Sequence, residues 1–195
     1  MGGGKNGAAT LLYINKVYMD SRNALLFKKG DGAVVNSYTE WNIACCKAPF
    51  STGGKAKELP KREWHDEHGD DVYIPKKLMM EGYDVEFELA CVVNSDKFNL
   101  AGALSKIDAF KKWLTGNDDL TNHPEGTGAG FQIYSPYSTI GRQGCYLLEI
   151  SNEEPHLQMK QTKGSLYNEN VLTFKVKFRV TDPMTNITLQ ENASS

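Results

Sequence analysis

Residues 83–93 read Tyr83-Asp84-Val85-Glu86-Phe87-Glu88-Leu89-Ala90-Cys91-Val92-Val93. Tyr83, Val85, Phe87, Leu89, Cys91 and Val93 alternate with Asp84, Glu86, Glu88 and Ala90, the period of two expected of a strand with one buried and one wet face. The wet face is acidic. Toward the other end of the sequence Leu172, Phe174, Val176, Phe178 and Val180 alternate with Thr173, Lys175, Lys177, Arg179 and Thr181, and there the wet face is basic. Opposite charges on neighbouring strands contribute about 0.2–1 kcal/mol per pair. The two stretches are therefore expected side by side in one sheet, or else as two solvated faces in separate places.

Working outward, shorter strand candidates fall at residues 11–19, 33–38, 43–47, 131–135, 145–150 and 187–190, several of them bounded by Gly, Pro or Asn. One helix interrupts them. Ser105 followed by Asp108 is a capping-box variant, Ile107, Phe110 and Leu114 with Trp113 beside them share one helical face, and Gly116 supplies the stop. That face is expected to pack on the sheet, with a partner-binding stripe as the alternative. Residues 115–130 and 53–68 read as long polar excursions, with Gly69 turning into residues 72–74. The chain is thus mainly β (α+β), with one docked helix and long loops.

Composition narrows the function classes. The 195 residues suit one ordinary domain, 40% hydrophobic and 24% charged content is globular, and 22 Lys plus Arg against 24 Asp plus Glu leaves a formal charge of -2. No excess of positive charge draws the chain to nucleic acid or anionic lipid. The start, Met1-Gly2-Gly3-Gly4-Lys5-Asn6, lacks a secretory apolar stretch and has Asn6 where myristoylation favours Ser or Thr, so residues 1–10 read as a flexible tail. No apolar run reaches the roughly 18 residues that span a bilayer. The expectation is a soluble protein made in the cytoplasm, with no membrane insertion. Cys45, Cys46, Cys91 and Cys145 show no C-x-x-C spacing and read as buried free thiols.

Chemistry has few candidates. Trp64-His65-Asp66-Glu67-His68-Gly69-Asp70-Asp71 is the densest reactive cluster, and two imidazoles three apart can meet on a helical turn to ligate a metal with a carboxylate. Gly69, the consecutive acids and Pro60 favour a solvated turn instead. A metal-binding module or enzyme using His65, Glu67, His68 and Asp70 is one alternative reading. A monomeric carbohydrate-binding β-sandwich using Trp41, Trp64 and Tyr137 as stacking platforms is another. No nucleophile elbow, P-loop or dinucleotide fingerprint is present. Adjacent acids such as Asp118-Asp119 do not converge on one substrate as a general acid and base must. No enzymatic activity and no cofactor are expected.

The order of segments carries a resemblance. Lys57-Glu58-Leu59-Pro60-Lys61-Arg62-Glu63-Trp64 leads to His68-Gly69-Asp70-Asp71-Val72-Tyr73-Ile74-Pro75 and the strand from Tyr83. The helical stretch Ile107-Asp108-Ala109-Phe110-Lys111-Lys112-Trp113-Leu114 follows, then Phe131-Gln132-Ile133-Tyr134, Gly144-Cys145-Tyr146-Leu147, and the strand from Leu172 to Asp182-Pro183. This layout, over residues 11–183, resembles the N-terminal domain of tailed-phage distal tail proteins and, more broadly, the tail-tube fold.

The resemblance implies an antiparallel β-sandwich or barrel with one flanking helix over residues 11–190, closed by a polar end at residues 191–195. It implies a virion structural protein assembling with itself as a six-membered ring around the tail lumen. One face would meet the tail tube and the other the baseplate or tip, with DNA only passing through. The sequence stops soon after Asp182-Pro183, where longer distal tail proteins carry an outward-facing domain, so receptor contact is not expected and a tube or terminator position stays open. Asp84, Glu86, Glu88, Lys175, Lys177 and Arg179 are the candidates for the lumen face or for pairing within or between subunits.

Overall fold

The computed structural model describes residues 12–14, 17–19, 23–48, 54–63, 68–93, 100–162 and 165–191. The tail at residues 1–10 and the end at residues 192–195 lie outside them. In chain order come β1 (Leu12–Ile14), β2 (Val17–Met19), β3 (Leu26–Lys28), β4 (Val35–Asn36), α1 (Ser37–Trp41) and β5 (Ile43–Lys47). Then come β6 (Lys61–Glu63), β7 (Asp70–Val72), β8 (Tyr83–Val93), α2 (Leu100–Thr115), β9 (Phe131–Ser135), β10 (Ile140–Thr162) and β11 (Ser165–Val180). Seven strands form one antiparallel sheet in the order β4-β3-β9-β10-β11-β8-β5, curled into a half-barrel, while β1-β2 and β6-β7 are separate hairpins. The mainly β antiparallel expectation holds, in its barrel-like form.

The pairing of the two alternating stretches is the spine of this sheet. β8 and β11 are antiparallel in unbroken register from Asn170↔Val93 to Val180↔Tyr83. Val85, Phe87, Leu89 and Cys91 therefore share the concave side with Leu172, Phe174, Val176, Phe178 and Val180, and all are buried in one core cluster. α2 lies on that concave side. Ala103, Ile107, Phe110 and Leu114 recur at helical spacing and are at most 3% exposed, so the packing expectation for this face is met. Phe27 is the hub of an aromatic cluster, with ring centroids 5.6 Å from Phe110, 5.8 Å from Trp113, 5.7 Å from Phe131 and 6.4 Å from Phe178. Edge-on aromatic pairs of this kind add to the burial of large apolar surface.

The two outer strands of the curled sheet, β4 and β5, are joined by the five residues of α1 and its cap Asn42. The strand expected at residues 33–38 is cut short; only Val35 and Asn36 extend, and Asn36 then caps a second helix by accepting from the Tyr38 and Thr39 amides. Ser37 locks the junction. Its hydroxyl accepts from the Leu25 amide at 3.0 Å and donates to the Ile43 carbonyl at 2.7 Å, and its own amide donates to the Leu25 carbonyl at 3.0 Å. Trp41 follows into the core at 5.0 Å from Phe110 and 5.6 Å from Trp113.

Two further expectations are corrected. α2 begins at Leu100, so Ser105 sits exposed in its second turn and caps nothing. Burial of Ala103 beside Cys91 extends the helix across Gly102. Its C-terminus ends as expected at Gly116, where φ is 78° and the Asn117 amide donates to the Lys112 carbonyl. Residues 187–190 form no strand. The final segment instead crosses the outer side of β9 and β3: Asn186 accepts from the Gly141 amide at 2.8 Å, Leu189 is buried with Leu26 and Tyr134, and Asn36 donates to Glu191. A Cβ at Gly141 would collide with the Ile187 carbonyl, so only glycine lets this segment lie so close.

The loop after α2 is fastened at its root. Lys29 Nζ lies 4.5 Å from the Trp113 ring centroid, donates to Thr127 at 3.0 Å and pairs with Asp118 at 3.4 Å. Burial pulls the Lys29 amine below its ordinary pKa, and Asp118 opposes that pull. After β11, Asp182 accepts from Gln143 at 2.6 Å and from the Thr185 and Met184 amides at 3.1 and 3.2 Å. These bonds, that of Gln143 foremost, lower its carboxyl pKa to about 2.

Two measurements check this packing. In urea titrations Phe110→Ala should cost roughly 3–5 kcal/mol as a large-to-small core change, and Ser37→Ala roughly 1–3 kcal/mol by stranding a buried amide and carbonyl. Because the folded Asp182 pKa is depressed, its stabilisation is complete above the unfolded value near 4 and is lost as pH falls through about 2. Asp182→Asn should therefore be less stable at neutral pH and lose less stability than the parent between those two pH values.

Candidate assembly surfaces

The convex side of β8, β11, β10 and β5 carries the charged candidates. Register places Lys175 opposite Glu88, Lys177 opposite Glu86 and Arg179 opposite Asp84. Two of the ion pairs formed lean one step along the strand, Lys175 to Glu86 at 3.3 Å and Lys177 to Asp84 at 3.3 Å, while Arg179 reaches the same Asp84 directly at 2.8 Å. Long side chains reach such diagonal neighbours easily. The Arg179 guanidinium foremost, with Lys177 beside it, holds the Asp84 carboxyl below its ordinary value, and Asp84 raises Arg179 in return. Of the pairings left open by the sequence, the one within the chain is present.

The charge pattern continues sideways. Lys47 of β5 stands opposite Glu88, and Glu149 of β10 stands opposite Lys177. Asp84, Glu86, Glu88 and Glu149 thus share a face with Lys47, Lys175, Lys177 and Arg179, and the formal charges cancel. Such a face exerts no strong net field on a polyanion. Tyr146 and Leu148, both more than two-fifths exposed, interrupt it. A register shift between Leu147 and Glu149 turns Leu148 outward beside Glu149, while Leu147 packs on the core.

Two ribbons leave this sheet at opposite ends. β5 and β8 are linked through residues 48–82, whose two halves pair with each other: the Glu81 amide donates to the Lys55 carbonyl and the Lys57 amide to the Met79 carbonyl, both at 2.7 Å, and β6 pairs with β7 farther out. This arm carries Tyr73 and Ile74 at 74% and 73% exposure, with Leu78 and Met79 also exposed. At the other end β10 and β11 run on beyond the last partner of β8, Asn170↔Val93, to Thr162↔Ser165.

The remaining candidates divide. Trp41 is 5% exposed and buried between aromatic neighbours, so it offers no sugar-stacking platform. Tyr137 is 86% exposed. Trp64, His65 and Glu67 lie outside the described residues; His68 is exposed in the turn before β7, which begins at Asp70. Among the described residues no group of three or more His, Cys, Asp or Glu is placed to hold a metal ion. The cysteines are free thiols, and burial raises Cys45, Cys46 and Cys145 to about 12 and Cys91 to about 11. Among the described residues no helix is long and apolar enough to cross a membrane.

Sequence reading finds the charged face because both its strands alternate cleanly. It misses the arm, since Val72-Tyr73-Ile74 reads only as the stretch that follows the Gly69 turn; the signal is the run of large apolar residues around Lys76 and Lys77 in an otherwise polar excursion. No protein-family model matches this sequence, and no curated protein matches it.

An exchange of charges tests the face. Glu86→Lys with Glu88→Lys should lower stability by roughly 1 kcal/mol through the lost Lys175–Glu86 pair and new repulsion among the lysines. Adding Lys175→Glu and Lys177→Glu should restore part of that in the same urea titration, incompletely because Asp84 then faces the carboxylate introduced at position 177.

Proposed function

We propose that this chain is a structural virion protein of a tailed bacteriophage, made in the bacterial cytoplasm and forming a closed homo-oligomeric ring of six subunits in the tail. The ring joins the tail tube to the baseplate or tip and surrounds a lumen through which DNA passes, and its work needs neither catalysis nor a cofactor. The observation that carries the reading is the pair of two-stranded ribbons extending from opposite ends of one sheet. A lone two-stranded ribbon is marginally stable in water, so both call for cover by neighbours. A patch that meets a different patch on the next copy is heterologous, and such contacts generate rings when the rotation closes.

The charge-balanced face of β8 and β11 suits the lumen wall. A conduit for DNA must not accumulate Lys or Arg contacts to phosphate, because each releases counterions and tightens the grip. Here Lys175, Lys177 and Arg179 are each engaged by a carboxylate of β8.

Light scattering of the purified protein, with negative-stain imaging of the same peak, tests the ring. The expected result is a particle of six times the 21.7 kDa chain with an axial hole, whose elution is unchanged by added double-stranded DNA at physiological salt. A monomer at all concentrations overturns the reading.

A further inference from the structure

We propose that the arm between β5 and β8 docks, through Tyr73, Ile74, Leu78 and Met79 with Lys76 and Lys77, onto Tyr146, Leu148 and Glu149 of β10 in a second copy of this chain. The proposal rests on the ring reading and names the surfaces that would close it.

Three observations converge. The first is placement. β10 and β8 flank β11 on opposite sides, and the arm leaves from the far side of β8. Tyr146 is level with Arg179, which is level with Asp84, next to the arm's root at Glu81. The arm's root and the β10 patch thus lie at the same height on opposite sides of β11, so the arm of one copy can reach the patch of a copy set beside it.

The second is complementarity. The arm offers two aliphatic side chains, a methionine and a tyrosine, largely exposed, around exposed Lys76 and Lys77. The β10 patch offers Tyr146 and Leu148 beside exposed Glu149, with Glu153 and Glu154 following in the sequence. Lys177, the register partner of Glu149, turns away to Asp84. Among the described residues neither Glu149 nor the two arm lysines has an ion pair. Apolar centres with matched charges at the rim are the ordinary composition of a specific interface.

The third observation selects the mode of contact. Beyond Cys145 no described strand pairs with β10 on the side away from β11. β10 itself is bulged over this stretch, with register shifts against β11 at Leu147/Glu149 and Ser151/Glu154, and Pro155 has no amide to donate. Strand addition is disfavoured there, and docking through side chains is what the edge permits. A second copy is the occupant because both halves of the contact are on this chain.

Thiol cross-linking reads the contact directly. The native cysteines have pKa values of about 11 to 12, so at neutral pH they react slowly, whereas thiols introduced at Ile74 and Leu148 are exposed. Tagged Ile74→Cys mixed with untagged Leu148→Cys and a short bismaleimide should yield a mixed dimer, and a chain carrying both substitutions should yield a ladder ending at the ring number. Tyr137→Cys in place of Leu148→Cys should yield none. Lys76→Glu with Lys77→Glu should dissociate the parent ring, and Glu149→Lys in the same chain should bring it back, with urea midpoints showing that each variant folds. A parent that forms rings but gives no 74–148 product, or links only 74 to 74, overturns this interface and leaves the ring reading standing. A parent that is monomeric throughout overturns both.

Discussion

The junction at Ser37, which ties the two outer strands of the curled sheet together, is the constraint on which the rest of the structure depends. A strongly curled sheet must bring its first and last strands near one another and must also satisfy the backbone groups where they meet. Here β4 and β5 are separated by five intervening strands yet joined by only the five residues of α1 and its cap Asn42. A single buried hydroxyl takes the amide of Leu25 and serves the carbonyl of Ile43. Serine fits because its one hydroxyl both accepts and donates. With the junction held, Trp41 points inward and α2 can fill the trough. Lys106 of α2 donates to the Glu40 carbonyl at 3.0 Å, tying the two helices together.

The trough explains why the core is so aromatic. A half-barrel has a wide opening, and a single helix covers it only if the side chains between them are large. Phe27, Trp41, Phe87, Phe110, Trp113, Phe131 and Phe178 form a connected set of ring contacts between sheet and helix. The Lys29 ammonium caps the Trp113 edge of this set and anchors the following loop through Thr127 and Asp118. Core and loop are thereby coupled through one side chain.

How much of this was legible in the sequence follows from which forces leave a period. β8 and β11 were legible down to their facing charges, because each is long, half-buried and strictly alternating. α2 was legible by its apolar face and by Gly116, but not at its start, where Ser105 imitates a cap inside the helix. α1 was invisible: it is too short for a period, and Val34, Val35 and Tyr38 are strand formers by propensity. The full length of β10 was hidden because Ser151-Asn152-Glu153-Glu154-Pro155 has no alternation, and that stretch is held as strand by backbone pairing. Ile187 and Leu189 alternate and misled for the opposite reason, since their extended segment is fixed by side-chain burial and by Asn186 rather than by a ladder. Of the candidate surfaces, the charged strip was readable from spacing alone, whereas the arm's exposure depends on its pairing with itself.

The same features that close the fold restrict how it can associate. A β-rich chain with free edges tends to grow by edge-to-edge pairing, a hazard that short, bulged or proline-bearing edges suppress. β4 is two residues long and is bound into the junction with α1. β5 carries a register shift between Cys45 and Lys47, and β10 carries two together with Pro155. Unlimited strand addition is blocked at each, while side-chain surfaces on the arm and on the convex face stay accessible. Association restricted to a few matched side chains has a defined angle between copies, and a defined angle is what separates a closed ring from an open-ended sheet.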